Sequence, residues 1–212
     1  MSVALIDYGA GNLTSVKKAL HHLDAEFVTP AAPAALASSK AIIVPGVGNF
    51  KATAALHDGW RDEITEAIDR GVSLLGICLG LQWLFDGSAE APHLEGLGLI
   101  AGTCALITKH GQGSKPGESG LFKVPHVGWN SLHLGQPSWL LDGVREGAQV
   151  YFTHSFAAPV TDACVASTTY GIEFASVVER GSVAGVQFHP EKSGGVGLQI
   201  LRNFLDRVNE VR

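Results

Sequence analysis

The chain has 212 residues, enough to bury the core of one large α/β domain without disulfide staples. Its net charge of −5, with no basic block, excludes an electrostatic footprint for nucleic acid or an anionic membrane surface. Cys78, Cys104 and Cys164 are odd in number and lack C-x-x-C spacing, which fits a reducing cytoplasm and speaks against a zinc site or a disulfide framework.

Residues 3–6 form an apolar strand, with no basic leader before it and no apolar run of about 20 residues anywhere to cross a membrane. The strand ends at Asp7-Tyr8-Gly9-Ala10-Gly11-Asn12, and residues 13–23 follow with Leu13, Val16, Leu20 and Leu23 on one helical face. Gly9-x-Gly11 does not make a dinucleotide fingerprint, because Thr14 occupies the third glycine position. Residues 41–44 are a second strand, closed by Pro45-Gly46-Val47-Gly48-Asn49-Phe50. Leu56, Trp60, Ile64, Ala67 and Ile68 then recur at helical spacing. A third strand, residues 72–75, runs into Gly76-Ile77-Cys78-Leu79-Gly80, and residues 79–85 begin a helix. Three βα units in a row predict a mostly parallel sheet with helices on both faces. Strand-like runs at 98–108, 121–124, 149–156, 164–170, 174–179 and 182–188 then imply antiparallel pairing added to that core. The polar, Gly-rich stretch 109–120 reads as a surface loop, and residues 198–208 as a closing helix. No linker or repeat interrupts the chain, so residues 1–212 are expected to form a single domain.

Gly76-Ile77-Cys78-Leu79-Gly80 has the form of a nucleophile on a sharp strand-to-helix turn, where small flanks are needed and the helix N-terminus favours a thiolate. Taken alone, the pattern fits an inert buried cysteine equally well. Gly185-Val186-Gln187-Phe188-His189-Pro190-Glu191 supplies a base at a strand end, where Pro190 stops the strand, and a carboxylate two residues on to orient the ring. Together these residues satisfy the nucleophile, base and orienter logic of thiol acyl transfer.

These stretches resemble the class I (triad) glutamine amidotransferases. Asp7-Tyr8-Gly9-Ala10-Gly11-Asn12-Leu13, Val44-Pro45-Gly46-Val47-Gly48-Asn49-Phe50, Val124-Pro125-His126-Val127-Gly128-Trp129-Asn130 and Tyr151-Phe152-Thr153-His154-Ser155-Phe156 narrow the resemblance to glutaminase subunits of imidazole glycerol phosphate synthase. The resemblance implies a flavodoxin-like α/β glutaminase domain, with a mostly parallel central sheet, flanking helices and an added antiparallel sheet. It implies Cys78, His189 and Glu191 as the triad, with an oxyanion hole from the amide of Leu79 and the Val47–Gly48 segment. Gln82, Glu90, Ser155 and Phe156 match positions that contact glutamine. Asn12, His126, Trp129, Tyr151 and His154 resemble residues around the site mouth that faces the partner, and Lys192 matches a lysine that meets an acidic residue there. The implied partners are L-glutamine and a (β/α)8 cyclase subunit forming a heterodimer, with no cofactor. In the family, a flip of the oxyanion segment is tied to silence of the glutaminase until the synthase binds its nucleotide ligand.

Other readings stay open at this point. Trp129 can be plain core, His126 after Pro125 can simply shape a turn, Glu90 and Lys192 can be ordinary solvated charges, and Cys104 and Cys164 read as packing residues. A glutaminase of another synthase, for anthranilate or pyridoxal phosphate, shares the triad. A non-catalytic redox or interaction protein could keep the fold, although His189 and Glu191 argue against it.

Overall fold

Along the first strand, β1 (Val3–Leu5), neighbouring side chains enter different cores. Val3 and Leu5 join one apolar cluster, while Ala4 and the following Ile6 join another. The same alternation holds in β3 (Ala41–Gly46), where Ala41 and Ile43 face one way and Ile42 and Val44 the other. A strand buried on both faces belongs at the centre of a three-layer α/β sandwich. The computed structural model describes residues 3–108 and 123–210. The expected loop at 109–120 and part of the expected strand at 121–124 lie outside them; Lys123 and Val124 are not strand.

The first half contains α1 (Leu13–His22), β2 (Phe27–Val28), α2 (Trp60–Asp69), β4 (Ser73–Cys78), α3 (Leu79–Trp83) and β5 (Phe85–Ser88). The second contains β6 (Ile100–Leu106), β7 (His126–Ser131), β8 (His133–Leu134), β9 (Gln149–His154), β10 (Phe156–Ala157), β11 (Cys164–Tyr170), β12 (Ile172–Arg180), β13 (Val183–Val186) and α4 (Gly194–Glu210). The main sheet runs β2-β1-β3-β4-β13-β12-β11-β8. Its first five strands pair in parallel; β12, β11 and β8 continue it antiparallel. Three of the six expected runs, 164–170, 174–179 and 182–188, therefore fall in the main sheet as β11, β12 and β13, and β13 pairs in parallel with β4. Only the β7–β9 ribbon and the small mixed sheet β10-β6-β5 stand apart.

Helices cover both faces. Val16, Ala19 and Leu20 of α1 and Ile200, Leu201 and Phe204 of α4 pack on one side, Trp60, Ile64 and Ala67 of α2 on the other. The fully buried Phe204 is worth about 3–5 kcal/mol against truncation to alanine. Three boundaries differ from the sequence pattern. Leu56 closes a separate 3-10 turn, split from α2 by Gly59 at φ 80°. α4 begins at Gly194, four residues ahead of the expected start, because a pair of glycines hides a helix N-terminus from propensity. α3 has only five residues, since the chain re-enters a strand at Phe85.

Candidate active site

Three parallel strands end together at the carboxyl edge of the sheet, where open α/β folds place their ligand sites. Gly46 of β3 pairs with Cys78 of β4, and Val186 of β13 pairs with Ile77. The register therefore delivers the Gly46–Gly48 turn, Cys78 and, three residues beyond β13, His189 to one place. Cys78 has φ 54° and ψ −103°, and among the described residues only Asp24 is another non-glycine with positive φ. Such a backbone costs about 1–3 kcal/mol and must be held by its surroundings. The glycines do this by close approach: a Cβ on Gly76 would come within 2.6 Å of the Gly80 carbonyl oxygen, and one on Gly80 would overlap the Val44 carbonyl.

His189 Nδ1 donates to Glu191 Oε1 at 2.8 Å, with the two side chains 2% and 1% exposed. Burial pulls the imidazole pKa down, but hydrogen bonding and charge from Cys78 and Glu191 outweigh it and raise it to about 10. His189 Nε2 makes no well-formed hydrogen bond. The hydrogen-bond and charge contribution of Cys78 to the ring nevertheless makes the sulfur its neighbour. The His189 turn is stapled to β9: its N–H donates to the Tyr151 carbonyl at 2.9 Å, while Ser193 Oγ donates to the His189 carbonyl at 2.6 Å and accepts from Tyr151 N at 2.9 Å.

A cavity of about 330 Å³ opens beside Cys78, lined by Gly48, Leu79, Gln82, Glu90, Ser155 and Phe156, with Pro125, Thr153 and His154. Gln82, one helical turn after Cys78, donates from Nε2 to the Phe156 carbonyl at 2.8 Å. Glu90 is not a free loop carboxylate, because its Oε2 accepts from Phe50 N at 2.7 Å. Val47 is absent from the lining; its N–H donates to the Ala10 carbonyl at 2.6 Å. Among the residues matched to a partner surface, Trp129 is 55% exposed, so it is not core. Its ring meets Tyr151 edge-on at 6.1 Å, and the Lys192 ammonium lies 5.9 Å from the Tyr151 ring centre. Asn12 precedes α1 without a side-chain cap bond and takes no part in that aromatic cluster.

Sequence reasoning passed over Gln187 and Ser193. Gln187 Nε2 reaches Cys78 Sγ at 3.7 Å, and its Oε1 accepts from Gln82 at 3.2 Å. Its signal was position: two residues before His189 in an extended run, it shares the face of that histidine. Cys104 and Cys164 differ from Cys78. Burial pushes both thiols up, Cys164 to about 11 and Cys104 further, which suits packing residues.

A family model described as glutamine amidotransferase class-I matches residues 4–208. The chain belongs to the class-I glutamine amidotransferases. Its relatives within that family carry the name imidazole glycerol phosphate synthase subunit HisH. One from a Geobacillus species is 45% identical over 95% of both chains, and one from Methanothermobacter thermautotrophicus is 42% identical over 96% of this chain and 98% of its own. Among solved structures, a glutamine amidotransferase superposes with a TM-score of 0.73 at 19% identity, over 98% of both chains. The structure of PurLQS from Thermotoga maritima superposes with a TM-score of 0.71 at 21% identity, over 98% of both chains. At those identities the superpositions speak for the fold.

Proposed function

We propose that this chain is the glutaminase subunit of an imidazole glycerol phosphate synthase, hydrolysing L-glutamine to glutamate and ammonia for a cyclase subunit. The observation that carries this reading is the buried Cys78, His189 and Glu191 constellation behind a small polar cavity. Cys78 attacks the side-chain amide carbon, and the oxygen takes negative charge facing the amide of Leu79. His189, oriented by Glu191, protonates the departing ammonia. It then takes a proton from water as that water attacks the thioester, which releases glutamate and restores the thiol. No cofactor is needed for these steps.

Gln82, Glu90, Ser155 and Phe156 hold glutamine, and the carboxylate of Glu90 gives the substrate ammonium a counter-charge. The second oxyanion donor is the Val47–Gly48 segment. Its bond to Ala10 supports a resting state in which the Val47 N–H must turn before it can serve. The cyclase is a (β/α)8 barrel forming a heterodimer with this chain across Trp129, Tyr151, Lys192 and Asn12. There it combines ammonia with a nucleotide to give imidazole glycerol phosphate and an aminoimidazole carboxamide ribotide. Transfer through a closed channel follows from the chemistry, because protonation in bulk water removes the nucleophilic lone pair. The test is ammonia release from glutamine by the purified chain, alone and with the cyclase plus its nucleotide ligand. Stimulation by that pair is expected; stimulation only by a different synthase would overturn the assignment.

A further inference from the structure

Two buried histidines beside the cavity have no part in the triad. His126 on β7 and His154 on β9 are directly paired in the ribbon and are 3% and 6% exposed. His126 Nδ1 lies 3.2 Å from His154 Nε2, and His154 Nδ1 lies 2.9 Å from the Phe156 carbonyl oxygen. At the other end, Asn130 Nδ2 lies 3.4 Å from His126 Nε2 and donates also to the Thr169 carbonyl at 3.2 Å.

The two ends of this chain dictate every proton in it. An amide nitrogen can only donate and a carbonyl can only accept. Each imidazole must therefore donate from Nδ1 and accept at Nε2, which leaves both rings neutral. A proton added to either ring would set donor against donor. Burial works in the same direction and holds His126 at about 4. For His154, burial outweighs the hydrogen bond to the Phe156 carbonyl and holds the ring at about 3. Rotation is blocked as well, because His126 stacks between Tyr170 at 4.0 Å and Phe152 at 4.8 Å.

The chain ends on an oxygen that matters. The Phe156 carbonyl accepts from both His154 Nδ1 and Gln82 Nε2, so both of its lone pairs are engaged. Gln82 and Phe156 both line the cavity beside Cys78. We propose that His126 and His154 are positioning residues for glutamine: a one-way hydrogen-bond chain from Asn130 through two neutral rings fixes the Phe156 carbonyl and, through it, the Gln82 amide. This rests on the glutaminase reading above. Neither ring touches the reacting atoms, so their loss should be felt in substrate binding more than in the chemical step.

The test is steady-state glutaminase kinetics in the assembled, ligand-stimulated synthase for the wild type, His126→Leu and His126→Asn. Leucine fills the space but cannot donate to His154; the asparagine amide nitrogen takes the place of Nδ1 and can. His126→Leu should raise KM for glutamine about tenfold, the factor expected for one hydrogen bond, with kcat changed less than about threefold. His126→Asn should restore KM to within about twofold of wild type, the margin of a retained contact. A folded His126→Leu protein with unchanged KM, even if its melting temperature falls, would reduce the pair to a structural role and overturn the proposal. A second readout needs neither activity nor a variant. In the free chain, 15N shifts should report both rings as neutral Nδ1–H tautomers from pH 5 to 9. An Nε2–H or charged form on either ring overturns the proposal, whereas a wild-type synthase that fails to hydrolyse glutamine, with the tautomers as stated, overturns only the glutaminase reading.

Discussion

The parallel half of the main sheet and the β7–β9 ribbon supply the same cavity by different physical routes. In the parallel half, register and close backbone approach do the positioning. Gly46 stands opposite Cys78, and Gly80 lies so close to Val44 that no side chain fits. In the ribbon, side chains do it: His126 reaches the wall through His154, and Ser193 ties the His189 turn to Tyr151. Backbone positioning is rigid and intolerant of any added atom. Side-chain positioning is adjustable, and it leaves the outer face of the ribbon, with Val127 and Trp129 more than half exposed, available for a partner.

The contrast can be tested from its strongest point downwards. Cys78→Ala should reduce ammonia release by more than about ten-thousandfold, as expected for loss of a nucleophile, while partner binding persists. Retained turnover in the complex would remove the parallel edge from the chemistry. Gly80→Ala should cost about 3 kcal/mol of stability, the upper range for overpacking, because its Cβ must displace the Val44 carbonyl. Urea unfolding checks it, and an unchanged midpoint would mean that the approach is soft.

Glu191→Gln should lower glutaminase kcat about a hundredfold or more by loosening the base. It also carries a pH signature. Because the folded His189 pKa is raised to about 10 from an ordinary 6.5, its protonated form stabilises the fold fully below about pH 6.5. That contribution is lost as pH rises through about 10. The variant should therefore be less stable than wild type at pH 6, with the gap closing toward pH 10 in thermal melts. Trp129→Ala should weaken partner affinity by about 1–2 kcal/mol while moving stability by less than about 0.5 kcal/mol. Titration calorimetry against the cyclase and a melting curve separate the two.

The same contrast decides what could be read from the sequence. β1, β3 and β4, the helices α1 and α4, and the strand-to-helix turn at Cys78 were legible because apolar alternation, helical spacing and the Gly-x-Cys-x-Gly pattern are local signals. β7 was legible only as a motif, since its apolar residues Val127 and Trp129 point to solvent and reverse the usual rule. α3 was cut short by Phe85, which enters β5 against the pattern of the preceding residues. Gln187 and Ser193 escaped notice because their partners, Cys78 and Tyr151, lie 109 and 42 positions away.

The stretch from His189 to Ser193 packs four jobs into one turn. In the proposed reaction His189 is the base and Glu191 its orienter; Lys192 sets its cation over Tyr151, and Ser193 clasps the turn to β9. A lever with its handle and its working tip on one short rigid arm has no slack. On the proposed reading, a partner that holds Lys192 also holds the turn that carries the imidazole, so partner affinity and readiness of the base are expected to change together when this turn is altered.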